Sequence, residues 1–151
     1  MKLILTHYVC SICSNEFDAP ELPSGSYGDF LLRNVAGEVA YLNGLDDPTY
    51  EKVSQLFARD PSTSTLGTFE RAGLLQKIYG EVACDADSVA APFHIGAKPK
   101  CPRCGSQEMS SWMEKEPPEF LDLDVPPVTH KRWNLLGEQA KIERVRQAAD
   151  K

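Results

Sequence analysis

Two short cysteine pairs carry the clearest chemistry in this sequence: Cys10-Ser11-Ile12-Cys13 near the start and Cys101-Pro102-Arg103-Cys104 near residue 100. A C-x-x-C turn brings two sulfurs and several backbone amides to one point. Two such turns facing each other supply the four thiolates that Zn²⁺ prefers in a closed structural site. Cys10, Cys13, Cys101 and Cys104 are therefore the expected metal ligands, with zinc favoured over iron. Pro102 stiffens the second turn, and Gly105 can take the positive φ that lets the chain wrap back toward the sulfurs. The competing reading, two disulfides or four separate buried thiols, gives the paired spacing no packing reason of its own.

The segments Tyr8-Val9-Cys10-Ser11-Ile12-Cys13 and Cys101-Pro102-Arg103-Cys104-Gly105 resemble the two knuckles of a zinc ribbon or rubredoxin. That resemblance implies a small metal-pinned β-ribbon and, through its rubredoxin side, an electron-carrier alternative. Ser14 stands where rubredoxins carry glycine, which weakens the iron reading more than the zinc one. Residues 14–100, 87 in number, separate the pairs and form a long insertion closed at its base by the metal.

With 151 residues, 42% of them hydrophobic and 25% charged, the chain is long enough for one ordinary core. A single α+β domain is expected, with ribbon halves at 1–17 and 98–115. The apolar run after Met1-Lys2 is too short for a signal-peptide core, and no stretch is long enough to span a bilayer. A cytoplasmic location with no membrane partner is expected, where reduced thiols can bind metal. The fifth cysteine, Cys84, reads as a core or spare thiol.

Residues 3–9 read as a strand delivering the first knuckle, and 15–28, dense in turn formers, as loop. Across 29–80 the sequence predicts an inserted β-hairpin and two helices. Residues 29–33 and 38–42 make the hairpin. Asp46 or Asp47 caps a helix that opens at Pro48 and stops near Asp60-Pro61, with Val53, Leu56 and Phe57 facing inward. A second helix over 66–79 turns Phe69, Leu74, Leu75 and Ile78 to the core, and Gly80 ends it. Residues 90–95 read as a short strand leading to the second knuckle, and 107–115 as the strand leaving it. Four prolines make 116–128 an extended acidic connection. A C-terminal helix lies within 130–149, beginning as late as Glu138 with Trp133 as an anchor before it. Trp133, Leu136, Ala140 and Val145 are its expected apolar face.

The net charge is −6, distributed as −3 over 1–45, −4 over 46–97, −2 over 98–127 and +3 over 128–151. Such a chain repels phosphates on average, so nucleic-acid binding is disfavoured. Lys131, Arg132, Lys141, Arg144 and Arg146 are its only plausible phosphate contacts. Four cysteines would close a zinc shell, leaving no open catalytic position. His7, His94 and His130 are scattered without an acid–nucleophile pattern, and Asp122 and Asp124 sit in the proline-bounded connection as solvated charge. No enzyme is expected.

The leading expectation is a non-enzymatic zinc-binding module that presents acidic surface to a basic protein partner, in the manner of an inhibitor or immunity protein facing a toxin nuclease. The alternatives are a nucleic-acid-associated zinc-ribbon protein and a rubredoxin-like electron carrier. Residues 29–60, with Asp46, Asp47, Glu51 and Asp60, are the expected partner surface.

Overall fold

A computed structural model describes residues 1–86 and 90–150 as a mixed α+β protein with two small sheets and four helices among the described residues. The first sheet is built on β1 (Lys2–Cys10), with β2 (Glu16–Glu21) antiparallel along one side. Along the other side β6 (Met109–Glu114) pairs with Thr6–Cys10, and β7 (Phe120–Asp122) pairs with Lys2–Ile4. β1 buries Leu3, Ile4, Thr6, Tyr8 and Cys10, and half-buries its remaining residues from Leu5 to Val9. That near-continuous burial explains why the alternation in its sequence is weak.

The second sheet has the order β4-β3-β5, from β3 (Asp29–Arg33), β4 (Val39–Asn43) and the two-residue β5 (His94–Ile95). Asn34 shapes the turn between β3 and β4, its Oδ1 accepting from the N–H groups of Ala36 and Glu38 at 3.1 and 3.0 Å. Helices α1 (Pro48–Arg59) and α2 (Thr68–Ala83) cover this sheet. They enclose one apolar cluster with the short α3 (Lys131–Asn134) and α4 (Glu138–Ala149). Leu32, Leu42, Val53, Phe57, Leu75, Ile78, Tyr79, Trp133 and Val145 lie in it.

The capping chemistry of α1 is as its sequence requires: Asp47 Oδ1 accepts from Thr49 N–H at 2.9 Å, and Pro48 occupies the first turn. Trp133 is the buried anchor before α4, which begins at Glu138.

Four expectations are corrected. Residues 15–28 are not all loop, because 16–21 form β2; Pro20 is tolerated there because β2 is an edge strand. Gly80 does not end α2. The helix runs on to Ala83, and Gly80 lies where the carbonyl of Phe93 comes close, at a point that has no room for a side chain. Phe69, expected in the core, is 93% exposed in the first turn of α2, where the helix has not yet reached the cluster. Ala140 is exposed likewise, and Val145 and Ala148 carry the buried face of α4. Within the extended connection 116–128, β7 adds to the sheet without becoming an interior strand.

The sheets meet through a buried cation. The guanidinium of Arg33, 3% exposed, donates to Glu21 Oε1 at 2.6 Å, to the carbonyl of Pro20 at 2.5 Å and to that of Ala97 at 3.2 Å. Glu21 also accepts from the hydroxyl of Tyr8. A charge removed from water this completely needs such a full set of acceptors.

Candidate metal centre

Each knuckle closes by the same pair of backbone bonds. In the first, Ser14 N–H donates to Cys10 O at 3.0 Å and Cys10 N–H to Asn15 O at 2.9 Å; in the second, Gly105 N–H donates to Cys101 O at 2.9 Å and Cys101 N–H to Ser106 O at 2.7 Å. Ser14 and Gly105 both have positive φ, 62° and 79°. The two turns are thus alike in backbone despite the serine. Cys10 ends β1, and the strand that leaves the second knuckle, β6, pairs back onto β1 through Cys10 and Met109. Ser11 reinforces the junction, its N–H and its hydroxyl both donating to Glu108 O at 3.0 Å.

This pairing brings together four sulfurs separated by up to 94 positions in sequence. Cys10 Sγ lies 3.5 Å from Cys104 Sγ, and Cys13 Sγ lies 3.6 Å from Cys101 Sγ. All four lie within 4.8 Å of one another. A tetrahedral ion with sulfur ligands at about 2.3 Å requires sulfur–sulfur separations of about 3.8 Å. The donor set and its dimensions therefore fit a four-coordinate metal ion with small adjustments.

The electrostatics agree. The Cys10 thiol is held below its ordinary pKa, first by the N–H of Cys13 and, against the effect of burial, by that of Ile12. Burial acts to raise Cys101, but the N–H groups of Cys104 and Arg103, with help from Cys13 and Asn15, pull it down to about 6. The Asn15 amide reaches Cys101 Sγ at 3.7 Å, one knuckle donating to a sulfur of the other. For Cys104 the Ser106 N–H favours the thiolate, yet burial and the neighbouring sulfurs push it up to about 12. Four thiolates so close repel one another, and a divalent cation relieves that repulsion. With Zn²⁺ the four thiolates would carry about two net negative charges.

Gln107, which sequence reasoning missed, ties the centre to the rest of the fold by donating to Asn34 O at 3.1 Å and Lys98 O at 3.0 Å. Nothing in its spacing marks it.

A test of the local geometry follows from Ser14. A serine at φ 62° costs about 1–2 kcal/mol, and glycine relieves this at about 0.5–1 kcal/mol of extra unfolded-state entropy. Ser14→Gly should stabilise the metal-loaded protein by about 0.5–1 kcal/mol, whereas Gly105→Ala should cost about 1 kcal/mol. Denaturant melts read both: equal signs would show that the knuckles are not alike, and both signs reversed would show that neither holds the positive φ described.

Other residues singled out by sequence behave differently. The Cys84 thiol, apart from the cluster, is pushed up to about 12 by burial and by the nearby Asp47 and Asp85 charges, an inert setting. His7 lies between Asp18 and Glu16, at 2.9 and 3.0 Å, which raise its pKa, Asp18 more than Glu16. His130 bridges Ala83 O and Asp47 Oδ2, both at 2.7 Å, tying the end of α2 to the start of α1.

Of the four acids in the expected surface over 29–60, two are committed internally, and Asp47 serves the α1 cap and His130. Asp60 is buried, held by Ser62 and by Arg146 at 2.8 Å. Asp46 and Glu51 remain exposed. The basic C-terminal residues are partly committed as well. Arg146 pairs with Asp60, Arg144 donates to the carbonyls of Val82 and Glu81, and Lys141 lies 5.5 Å from the Trp133 ring centroid. No helix among the described residues is long and apolar enough to cross a membrane. No protein-family model, curated protein or solved structure matches this chain.

Proposed function

We propose that the protein is a non-enzymatic module held together by one structural Zn²⁺ on Cys10, Cys13, Cys101 and Cys104, and that it binds a basic protein partner through acidic surface. Four thiolates leave zinc no open coordination position for a substrate, so the ion acts on the fold and not on a reaction. Inhibition of a basic enzyme such as a toxin nuclease, in the manner of an immunity protein, is one specific form that this charge permits.

The observation that carries this reading is the acidity of the chain, net −6 before the thiolates of the site add to it. Like charge repels nucleic acid, and opposite charge speeds and orients encounter with a cationic protein. The capture of Arg144 and Arg146 by internal contacts further reduces the basic surface open to phosphate.

The test pairs composition with kinetics. Protein purified without chelator should be colourless and carry about one equivalent of zinc per chain. Its association rate with small basic nuclease domains should fall at least about tenfold between low and moderate salt. Tighter binding to a DNA fragment than to every cationic protein tried would overturn the reading.

A further inference from the structure

We infer that the free edge of β6 is the docking line for a basic, extended segment of the partner protein, which joins the first sheet as an added strand. The inference rests on the reading of the chain as an acidic interaction module and gives that reading a place and a mode.

The topology leaves β6 open. β1 pairs along one side of it, and no strand among the described residues pairs along the other. Lys115 N–H donates to Leu5 O in the same register, so the alternation of an antiparallel ladder turns the N–H and C=O of Trp112 and Glu114 away from β1. Edge strands are ordinarily blunted by proline, lysine or cover. The sheet's opposite edge has Pro20 in β2, but Met109–Glu114 contains neither proline nor lysine.

The surface along this edge has the chemistry of an interface. Trp112, Met113 and Phe120 are 51%, 69% and 52% exposed, types that are enriched where proteins bind one another. Residues 108–124 carry six acids, Glu108, Glu114, Glu116, Glu119, Asp122 and Asp124, against Lys115 alone, for a net −5, and all six are exposed. Two of them are already paired, Glu119 with Lys115 at 3.3 Å and Asp122 with the N-terminal amine at 2.7 Å. Glu108, Glu114 and Glu116 have no ion-pair partner among the described residues. The aromatic rings already accept cations: Lys98 Nζ sits 3.8 Å from the Trp112 centroid, and Lys2 Nζ 4.3 Å from that of Phe120.

Charge selects the occupant. A second copy would set one acidic run against another, and like charges across paired strands are unfavourable. A basic strand satisfies the edge amides and carbonyls, can set its lysines on the face that carries Trp112 and Glu114, and can lay its alternate apolar side chains on the opposite face beside Met113.

The probe is an end-blocked synthetic peptide of about ten residues that alternates lysine with valine or threonine, with a glutamate-for-lysine control. Binding to the zinc-loaded full chain is read by anisotropy. The parent should bind the basic peptide and not the acidic one. Glu114→Gln should weaken binding about 2- to 5-fold through charge alone. Glu114→Pro also removes an edge donor while sparing the β1 bonds, and should weaken it at least about tenfold.

If Glu114→Pro, folded by circular dichroism, matches Glu114→Gln, the segment docks by charge and strand addition is overturned. Should that variant not fold, the same question is put to the parent protein with peptides N-methylated at alternate residues. Methylation in one register must abolish binding and in the other spare it; equal effects overturn the inference. Dimerisation of the parent that Glu114→Pro abolishes would make the occupant a second copy, and also overturn it. If cationic proteins bind but Trp112→Ser and Glu114→Pro change nothing, the edge placement fails and the proposed function stands. If no cationic protein or peptide binds, the proposed function fails with it.

Discussion

Cys101→Ser should lower the melting temperature by more than about 20 °C or leave the chain unfolded if the cluster holds the proposed zinc, since structural zinc contributes roughly 10 kcal/mol in small metallo-domains. A domain of this size has only about 5–15 kcal/mol to lose. The two knuckles close a loop spanning 88 positions from Cys13 to Cys101, so metal binding also removes much unfolded-state freedom, as a covalent cross-link would. The structure shows where the loss would fall. β1 ends in Cys10 and is the strand on which β2, β6 and β7 are laid, so freeing the sulfurs loosens the seam between β1 and β6. The damage then passes to the second sheet through the Arg33 contacts with β2 and the Gln107 bond to Asn34. Cys84→Ser, remote from the cluster, should cost about 1 kcal/mol. Far-UV circular dichroism melts of the three proteins decide the matter. A Cys101→Ser protein that melts within a degree or two of the parent would sink both the metal assignment and its structural role.

Gly80→Ala should destabilise the protein by roughly 3 kcal/mol or more, although alanine is the better helix former. A Cβ at residue 80 would lie 1.7 Å from the carbonyl oxygen of Phe93 and 2.7 Å from its carbon. Those are backbone atoms of the segment leading into β5, so no rotamer change can relieve the clash; α2 or β5 must move. The same helix supplies its own control. Gly73 is exposed, a Cβ there would meet nothing within 4 Å, and Gly73→Ala should stabilise by up to about 1 kcal/mol. Opposite signs for one substitution at two places in one helix are the expected result of paired denaturant melts. Two changes of the same sign would show that α2 does not approach β5 as closely as described.

Local rules made much of this molecule legible from sequence. Cysteine spacing named the four sulfurs that converge, since a C-x-x-C turn works within four residues and its partner is identified by its own pattern. The aspartates before Pro48 marked the start of α1, the paired apolar runs 29–33 and 38–42 marked the hairpin of β3 and β4, and Trp133 was legible as an anchor ahead of a helix starting as late as Glu138. Each is a property of neighbours in the chain. Tertiary structure decided what depended on distant partners. Residues 16–21 are a strand because β1 offers them a ladder, despite their proline and acids. Gly80 lies inside a helix because residue 93 passes over it. Asp60 and Arg146, both open to the reading of free charge, neutralise each other across 86 positions. The open edge of β6 is likewise a matter of topology: its six residues are ordinary in sequence, and the order β2-β1-β6 leaves their outer hydrogen-bonding groups without a strand among the described residues.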